Sequence, residues 1–469
     1  MLWTCLHFPS LPLQVLLRAA AVPGPLAVTS PGTRPQVLAS NDAAAARGVH
    51  DGMPLPAALA LAPELTVRTR DAAAEARALA GIAAWAGQFS SAVSLAPPAG
   101  VLLEIGSSLT LFGGADALLR NIDSGLAALG YRARIAVAPA PAAALLLARA
   151  GIETPVTDAR DLQRQLDRVP IDLLDHPPEA LQTLIDIGVA SVGDCLRLPR
   201  DGLARRFGPE LLDLLDRAAG GLPDPRPPFA APERFSSRIE LPAPVAEAQA
   251  ALFAASRLLA EMCGWLACRA LGALRIELEL VHEDFAPTRI ALELAHPGRG
   301  HAHLAALLRE RLDRARLPGR VEALALACTA AAPLASSSLD LFANDTPAEP
   351  FVLIERLAAR LGDDAICALA PHPDHRPERA YRIVRPGAVA APAAVAPRPL
   401  WLLADPRPLD SRALAALALD GPERIESGWW DGADVSRDYF VARAAGGETL
   451  WNFRDRRDAG AWFLHGIFA

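Results

Sequence analysis

Cys5 and His7 stand two residues apart in the opening stretch 2–8, Leu-Trp-Thr-Cys-Leu-His-Phe. In a β-strand that spacing puts a thiol and an imidazole on one face, which can begin a soft-metal site. No third or fourth ligand follows at a matching spacing, so the expectation is a buried thiol and a hydrogen-bonded histidine. Cys195, Cys263, Cys268, Cys328 and Cys367 show no CxxC spacing, so neither a zinc ribbon nor a disulfide framework is indicated. Six reduced thiols in a cytosolic protein are expected. No cofactor is called for. Glu104, near the end of a strand pair, is a carboxylate that could tempt a metal assignment, and Arg47 could meet a phosphate or only solvent. Residues 181–199 read as helix, tight turn and helix around Gly188, Val189 and Gly193. The free amides of such a turn can meet an anion, and a hairpin kept only for packing is the alternative. Ser338-Leu339-Asp340-Leu341-Phe342 places apolar anchors inside a polar spacer. An extended segment of that kind docks into a preformed groove, or else forms a short edge strand.

These residues sit in a chain of 469, long enough for several compact units. All its basic residues are arginine, net charge is −7, and mean hydropathy is +0.21. That balance argues against a protein that coats nucleic acid, while leaving room for a localised DNA face. Pro9 and Pro12 interrupt the uncharged run 2–17, which reads as a strand turning into a helix rather than a signal peptide. No run of 18 or more apolar residues suggests a membrane span.

The positioning elements follow from periodicity. Strands are expected at 2–8, 92–95, 101–105 and 134–138, with helical patterns at 72–85 and after Gly113-Gly114. The turn-rich element 47–54 precedes an Ala/Leu helix. Alternating strands and helices of this kind argue for an α/β or α+β domain. A proline-rich boundary at 223–228 separates a further block. There, strands at 235–241, 273–280, 289–294 and 321–329 and helices at 246–267 and 303–316 describe two helices on a four-stranded sheet. Beyond residue 350 come a helix at 352–361, proline-rich sequence, and four strands at 424–430, 438–443, 449–454 and 462–466.

Residues 2–14, Gly48-Val49-x-x-Gly52-Met53-Pro54, 94–105 and 135–139 fall in the order and spacing of a Y-family (translesion) DNA polymerase. Together with Leu111-Phe112-Gly113-Gly114 and the closing residues 464–469, the chain resembles a polymerase-like member of a bacterial mutagenesis cassette, essentially end to end. The resemblance implies a multidomain α+β fold with palm (1–10 and 85–165), fingers (11–84), helix-hairpin-helix thumb (166–222) and little finger (223–333). A linker (334–350) and a C-terminal α/β extension (351–469) complete it. The departures are informative. The family's first Mg²⁺-binding carboxylate falls at Cys5, and its Asp-Glu pair falls at Ala96-Pro97. Its triphosphate-gripping Tyr and Arg fall near Asp42 and Ala45, and its palm Lys at about Pro141. A thiol, a methyl group and a proline cannot replace three hard oxygen ligands, so the resemblance implies a polymerase fold without catalysis.

By the same resemblance Ser338 to Phe342 is a docking motif for the sliding clamp (the β subunit), with Ser338 where a Gln commonly leads. The thumb turn and the little-finger arginines Arg275, Arg289 and Arg320 become candidate contacts to primer-template DNA. Binding should be weak, because charges over 231–333 balance at twelve Arg and twelve acids. Trp429, Trp430, Trp451 and Trp462 are candidate partner contacts in a tail that, in the family, recruits a RecA-like accessory protein and an error-prone replicative-type polymerase. His465 is expected to be structural. The implied role is a cytoplasmic adaptor in the SOS response, at the nucleoid under DNA damage. An active translesion polymerase with an unorthodox metal site, and a clamp-independent DNA-binding repair module, are the competing readings.

Overall fold

The strand Trp3–His7 forms as predicted and lies between Gly100–Glu104 and Arg134–Ala138, with Val93–Ala96 completing a four-stranded antiparallel sheet. This is a computed structural model, and it describes residues 1–19, 23–334, 349–386, 398–444, 446–458 and 460–468. The sheet is covered on both faces, which explains why its strands read as apolar runs. Cys5, Leu102, Ala136 and Ala138 enter one core with the helix Pro141–Ala150 and the thumb. Leu6, Val101, Leu103 and Val137 enter another with the helices Ala72–Ala86 and Ala115–Leu129. The period-two alternation of a strand assigns these side chains to opposite faces.

The fingers carry a small sheet ordered Val37–Ser40, Leu26–Thr29, Thr66–Thr69. The glycine turn belongs to it. Gly48 and Gly52 adopt φ of +86° and +81°, a region that favours glycine. The Gly52 amide then bonds to the Val37 carbonyl, and the Val37 amide to Met53. Five helices between Ala159 and Ala219 form the thumb. The little finger is the expected sheet, ordered Thr288–Gly298, Leu271–His282, Val321–Pro333, Ser236–Val245, under the helices Ala248–Cys268 and His301–Arg314.

Three expectations need correction. The helix predicted to open the C-terminal region spans Glu349–Leu361 and packs on the little finger instead. Ala359 is buried in that core, and Glu355 accepts from the Ala295 amide (2.9 Å) and pairs with His303 (2.6 Å). The helix Ala248–Cys268 is long and apolar enough to cross a membrane by length and composition, although Arg257 and Glu261 interrupt its apolar run. Its apolar side is the little-finger core, where Leu258, Leu259, Met262 and Leu266 are fully buried. The chain divides at Arg360/Leu361, and the second unit is mostly β rather than α/β. Its five-stranded antiparallel sheet runs Trp401–Leu409, Trp462–Ile467, Thr449–Asp455, Val435–Arg443, Ala418–Ser427. The first of these strands and the hairpin Ala368–Pro371/Tyr381–Val384 carry no clear alternation in the sequence.

Candidate functional site

At two positions that the sequence resemblance assigns to metal-binding carboxylates, Cys5 is 0% exposed and Ala96 6%. Cys5 lies opposite Leu102 and Ala136 in register. Burial pushes its thiol up to about 12, against the opposing influence of the Arg149 and Arg226 guanidiniums. A buried thiol also offers no hard oxygen donor of the kind Mg²⁺ takes. The cations that act on this position are the guanidiniums of Arg149 and Arg226. Arg149 donates to the Leu173 carbonyl (3.0 Å) and to Asp175 (2.8 Å), closing the thumb over a hollow of about 340 Å³ lined by His7, Ala96, Pro98 and Leu174. The neighbouring edge is covered too. Ser94 donates to the Pro227 carbonyl (2.8 Å), and the Phe229 amide to Val93 (2.7 Å), so the thumb–little-finger linker runs along the strand Val93–Ala96.

The remaining candidates do not rescue a metal site. Burial would raise the Glu104 carboxyl, but hydrogen bonds from the Leu2 amide and from Ser107 and Gly106 outweigh it and hold it below its ordinary value. That carboxylate caps a turn. His7 is pushed down to about 4 by burial, with Arg149 and Arg134 adding to the effect, and is neutral. Among the described residues no group of three His, Cys, Asp or Glu side chains could hold a metal ion. The residues present do not fit two Mg²⁺ ions. No motif in the sequence marks Arg149, Asp175 or Arg226, since Arg149 and Asp175 are 26 positions apart and meet only through the fold.

The thumb turn adopts the expected hairpin, with Gly188 at φ +93°. Its amides are already occupied, which corrects the expectation of a ready phosphate cradle. The Gly188 and Val189 amides bond to Ile185 and Leu184, while the Ala190 and Ser191 amides donate to the Asp194 carboxylate (3.2 and 2.9 Å). Gly193 is needed for packing, because a Cβ there would lie 2.6 Å from the Asp167 Cα. Ser191, by side chain and amide, and then Ala190 and Arg197 hold Asp194 below its ordinary value, so a DNA phosphate would have to displace a carboxylate.

On the open face of the little-finger sheet, two of the three candidate arginines have partners. Arg275 pairs with Glu277 (3.0 Å) and Glu293 (3.5 Å), and Arg289 with Glu279 (3.2 Å). Nearby Arg238 pairs with Glu240 (2.7 Å). This ladder of cross-strand and neighbouring charges neutralises itself. Arg320 is exposed at the start of its strand, and its carbonyl lies 3.3 Å from His282 Nδ1. The segment Ser338 to Phe342 lies outside the described residues.

In the C-terminal unit the four tryptophans separate. Trp451 is 2% exposed and stacks on Tyr439 at 4.1 Å, so it is core and not a partner contact. Trp462 is half-buried against Phe440. Trp429 and Trp430 are 80% and 60% exposed on a turn. Buried Arg376 pins that turn by bonds to Asp431 (2.9 and 2.8 Å) and to the Ala433 carbonyl (3.0 Å). His465 is structural: its Nδ1 shares a hydrogen bond with the Tyr439 hydroxyl at 2.8 Å. Burial pushes it down to about 4. Because the unfolded imidazole titrates near 6.5, the unfolded chain binds more protons between those values. Stability of this unit is therefore expected to be fully present above about 6.5 and to fall as pH drops towards 4. Urea unfolding across that window should show a shallower pH dependence for His465→Gln than for the natural protein; identical curves would remove His465 from the account.

Residues 16–149 match the impB/mucB/samB family. Protein ImuB from two strains of Caulobacter vibrioides (NA1000 / CB15N and ATCC 19089 / CIP 103742 / CB 15) is 29% identical over 460 residues, covering 90% of this chain and 100% of the relative. Among solved structures, DinB from Sulfolobus solfataricus aligns at 20% identity, with a TM-score of 0.38, over 70% of this chain and 98% of that one. An insertion ternary complex of Dbh DNA polymerase aligns at 19% identity over the same shares, with a TM-score of 0.40. The chain is thus similar to Protein ImuB along 90% of its length, and its residues 16–149 match the impB/mucB/samB family.

Proposed function

We propose that this chain is a non-catalytic polymerase homologue that acts as an adaptor in DNA damage tolerance and induced mutagenesis. It links the sliding clamp, a RecA-like accessory protein and an error-prone replicative-type polymerase in the cytoplasm, at damaged or primer-template DNA that it touches weakly. The observation that carries this reading is the palm. Cys5 and Ala96 are buried in an apolar core at positions where the chemistry needs exposed oxygen ligands. Phosphoryl transfer without those ligands has nothing to activate the primer hydroxyl or to neutralise the triphosphate. The paired arginines of the little finger and the occupied thumb amides agree with weak DNA contact. Ser338 to Phe342 supplies the clamp contact, and Trp429 and Trp430 are exposed where a partner can reach them.

The test is clamp binding of the purified protein beside Leu341→Ala/Phe342→Ala, with primer extension run on the same samples. Two apolar anchors at about 2 kcal/mol each predict a loss of roughly a thousandfold. Neither protein should add a nucleotide. Extension that disappears on chelating Mg²⁺ would establish an active enzyme instead, and unchanged clamp binding would move the docking site elsewhere.

A further inference from the structure

We infer that a buried charge cluster, Arg18–Glu261–Tyr131, latches the little finger onto the palm and fingers in a single register and releases it as a body when the cluster is broken. Arg18 follows the fingers helix Leu11–Leu17, Tyr131 precedes the palm strand Arg134–Ala138, and Glu261 lies on the little-finger helix Ala248–Cys268. The Arg18 guanidinium donates to the Tyr131 hydroxyl (2.8 Å) and to Glu261 Oε2 (3.0 Å), and its centre sits 4.8 Å above the Tyr131 ring. Ser237 donates to the other Glu261 oxygen (3.0 Å), and Arg257 donates to the Arg18 carbonyl. The ion-paired side chains are 7% and 9% exposed. Three parts of the molecule thus meet in one desolvated network.

The shape around the network specifies the same contact. A Cβ at Gly81 would lie 2.4 Å from Glu261 Oε1, and one at Gly264 would lie 2.2 Å from Trp85 Cδ1. The rigid Trp85 ring makes the approach of the helices Ala72–Ala86 and Ala248–Cys268 at Gly264 one that only glycine permits, and at Gly81 the Glu261 carboxylate fills the space of the missing side chain. Apolar contact supplies the attraction, since Ala19 and Ala84 enter the little-finger core. The charges supply something else. A buried pair gains little over an apolar replacement, but one charge left alone in the interface is heavily penalised. When the little finger lifts away, both groups return to water and lose that penalty. The pair therefore rejects misaligned docking while leaving release reversible. A cleft of about 650 Å³ beside Arg18, Tyr131, Glu261 and Trp265 gives water access as it opens.

The experiment compares the full-length natural protein with Glu261→Gln, Arg18→Lys and Arg18→Met/Glu261→Met by small-angle scattering and hydrogen exchange. In Glu261→Gln the unpaired guanidinium should shift the docking equilibrium towards release by roughly a hundredfold. The radius of gyration should rise and exchange should increase in Ala72–Ala86 and Ala248–Cys268, while Trp3–His7 and Gly100–Glu104 stay protected. Arg18→Lys keeps the charge but loses the fork that reaches both partners, so it reports the same release should Glu261→Gln fail to fold. The double methionine variant should stay more closed than either single variant, because neither member of the pair is left as a lone charge, while the Tyr131 hydroxyl loses its Arg18 donor. Scattering and exchange unchanged in both single variants would overturn the latch. So would palm strands that open in step with the little finger, or a double variant as open as the single ones.

Discussion

Replacing Cys5 with aspartate is expected to lower the stability of the 1–360 body by about 3–5 kcal/mol, the usual cost of an uncompensated buried charge. It is not expected to yield primer extension. The position has no solvent exposure and faces Leu102 and Ala136 across the sheet, with the helix Pro141–Ala150 packed against the strand. The burial that pushes the thiol up to about 12 would push a carboxyl up as well. Arg149 and Arg226 offset part of that, but Arg149 already donates to Leu173 and Asp175. Urea unfolding of Cys5→Asp beside Cys5→Ala separates the two effects, since the alanine variant removes volume without adding charge. An aspartate variant as stable as the alanine one would mean that the palm still accommodates an ionised carboxylate, and the enzyme reading would return.

Trp451→Ala should cost about 3–5 kcal/mol, whereas Trp429→Ala should stay within about 0.5 kcal/mol. Trp451 is stacked on Tyr439 and lies under the Arg398 guanidinium, 5.0 Å from its ring. Removing it opens a cavity among Ile425, Tyr439 and Phe453. Trp429 meets solvent over most of its surface and leans edge-on against Trp430. Chemical denaturation of the two variants tests the burial contrast. Capture of the replicative-type polymerase or the accessory protein tests the contact reading, since Trp429→Ala should weaken capture while the fold stays intact. A destabilised Trp429→Ala would show that the turn is part of the core.

Residue identity alone carried the chemistry. Cys5, Ala96 and Pro97 lack hard oxygen donors in any fold. Periodicity carried the elements, because strand 134–138 and the little-finger sheet depend on which face of a short segment is apolar, a property of near neighbours. The glycine turn at 48–54 was legible for the same reason, since its backbone conformation is a local requirement. Near neighbours could not assign the C-terminal tryptophans. Trp429 and Trp451 are the same residue in strand-like surroundings, and what buries one is Tyr439 and His465 from other strands. Nor could spacing show that Asp194 fills the thumb amides, or that the helix Glu349–Leu361 returns to the little finger. Arg18 and Glu261 are 243 positions apart, and neither has a local partner to announce it. The sequence by itself determined that Cys5, Ala96 and Pro97 bring no hard oxygen donor to the opening sheet, and where most strands and helices of residues 1–333 form. Only the tertiary structure decided which charges meet, because an ion pair is set by distance in space and by the water excluded around it.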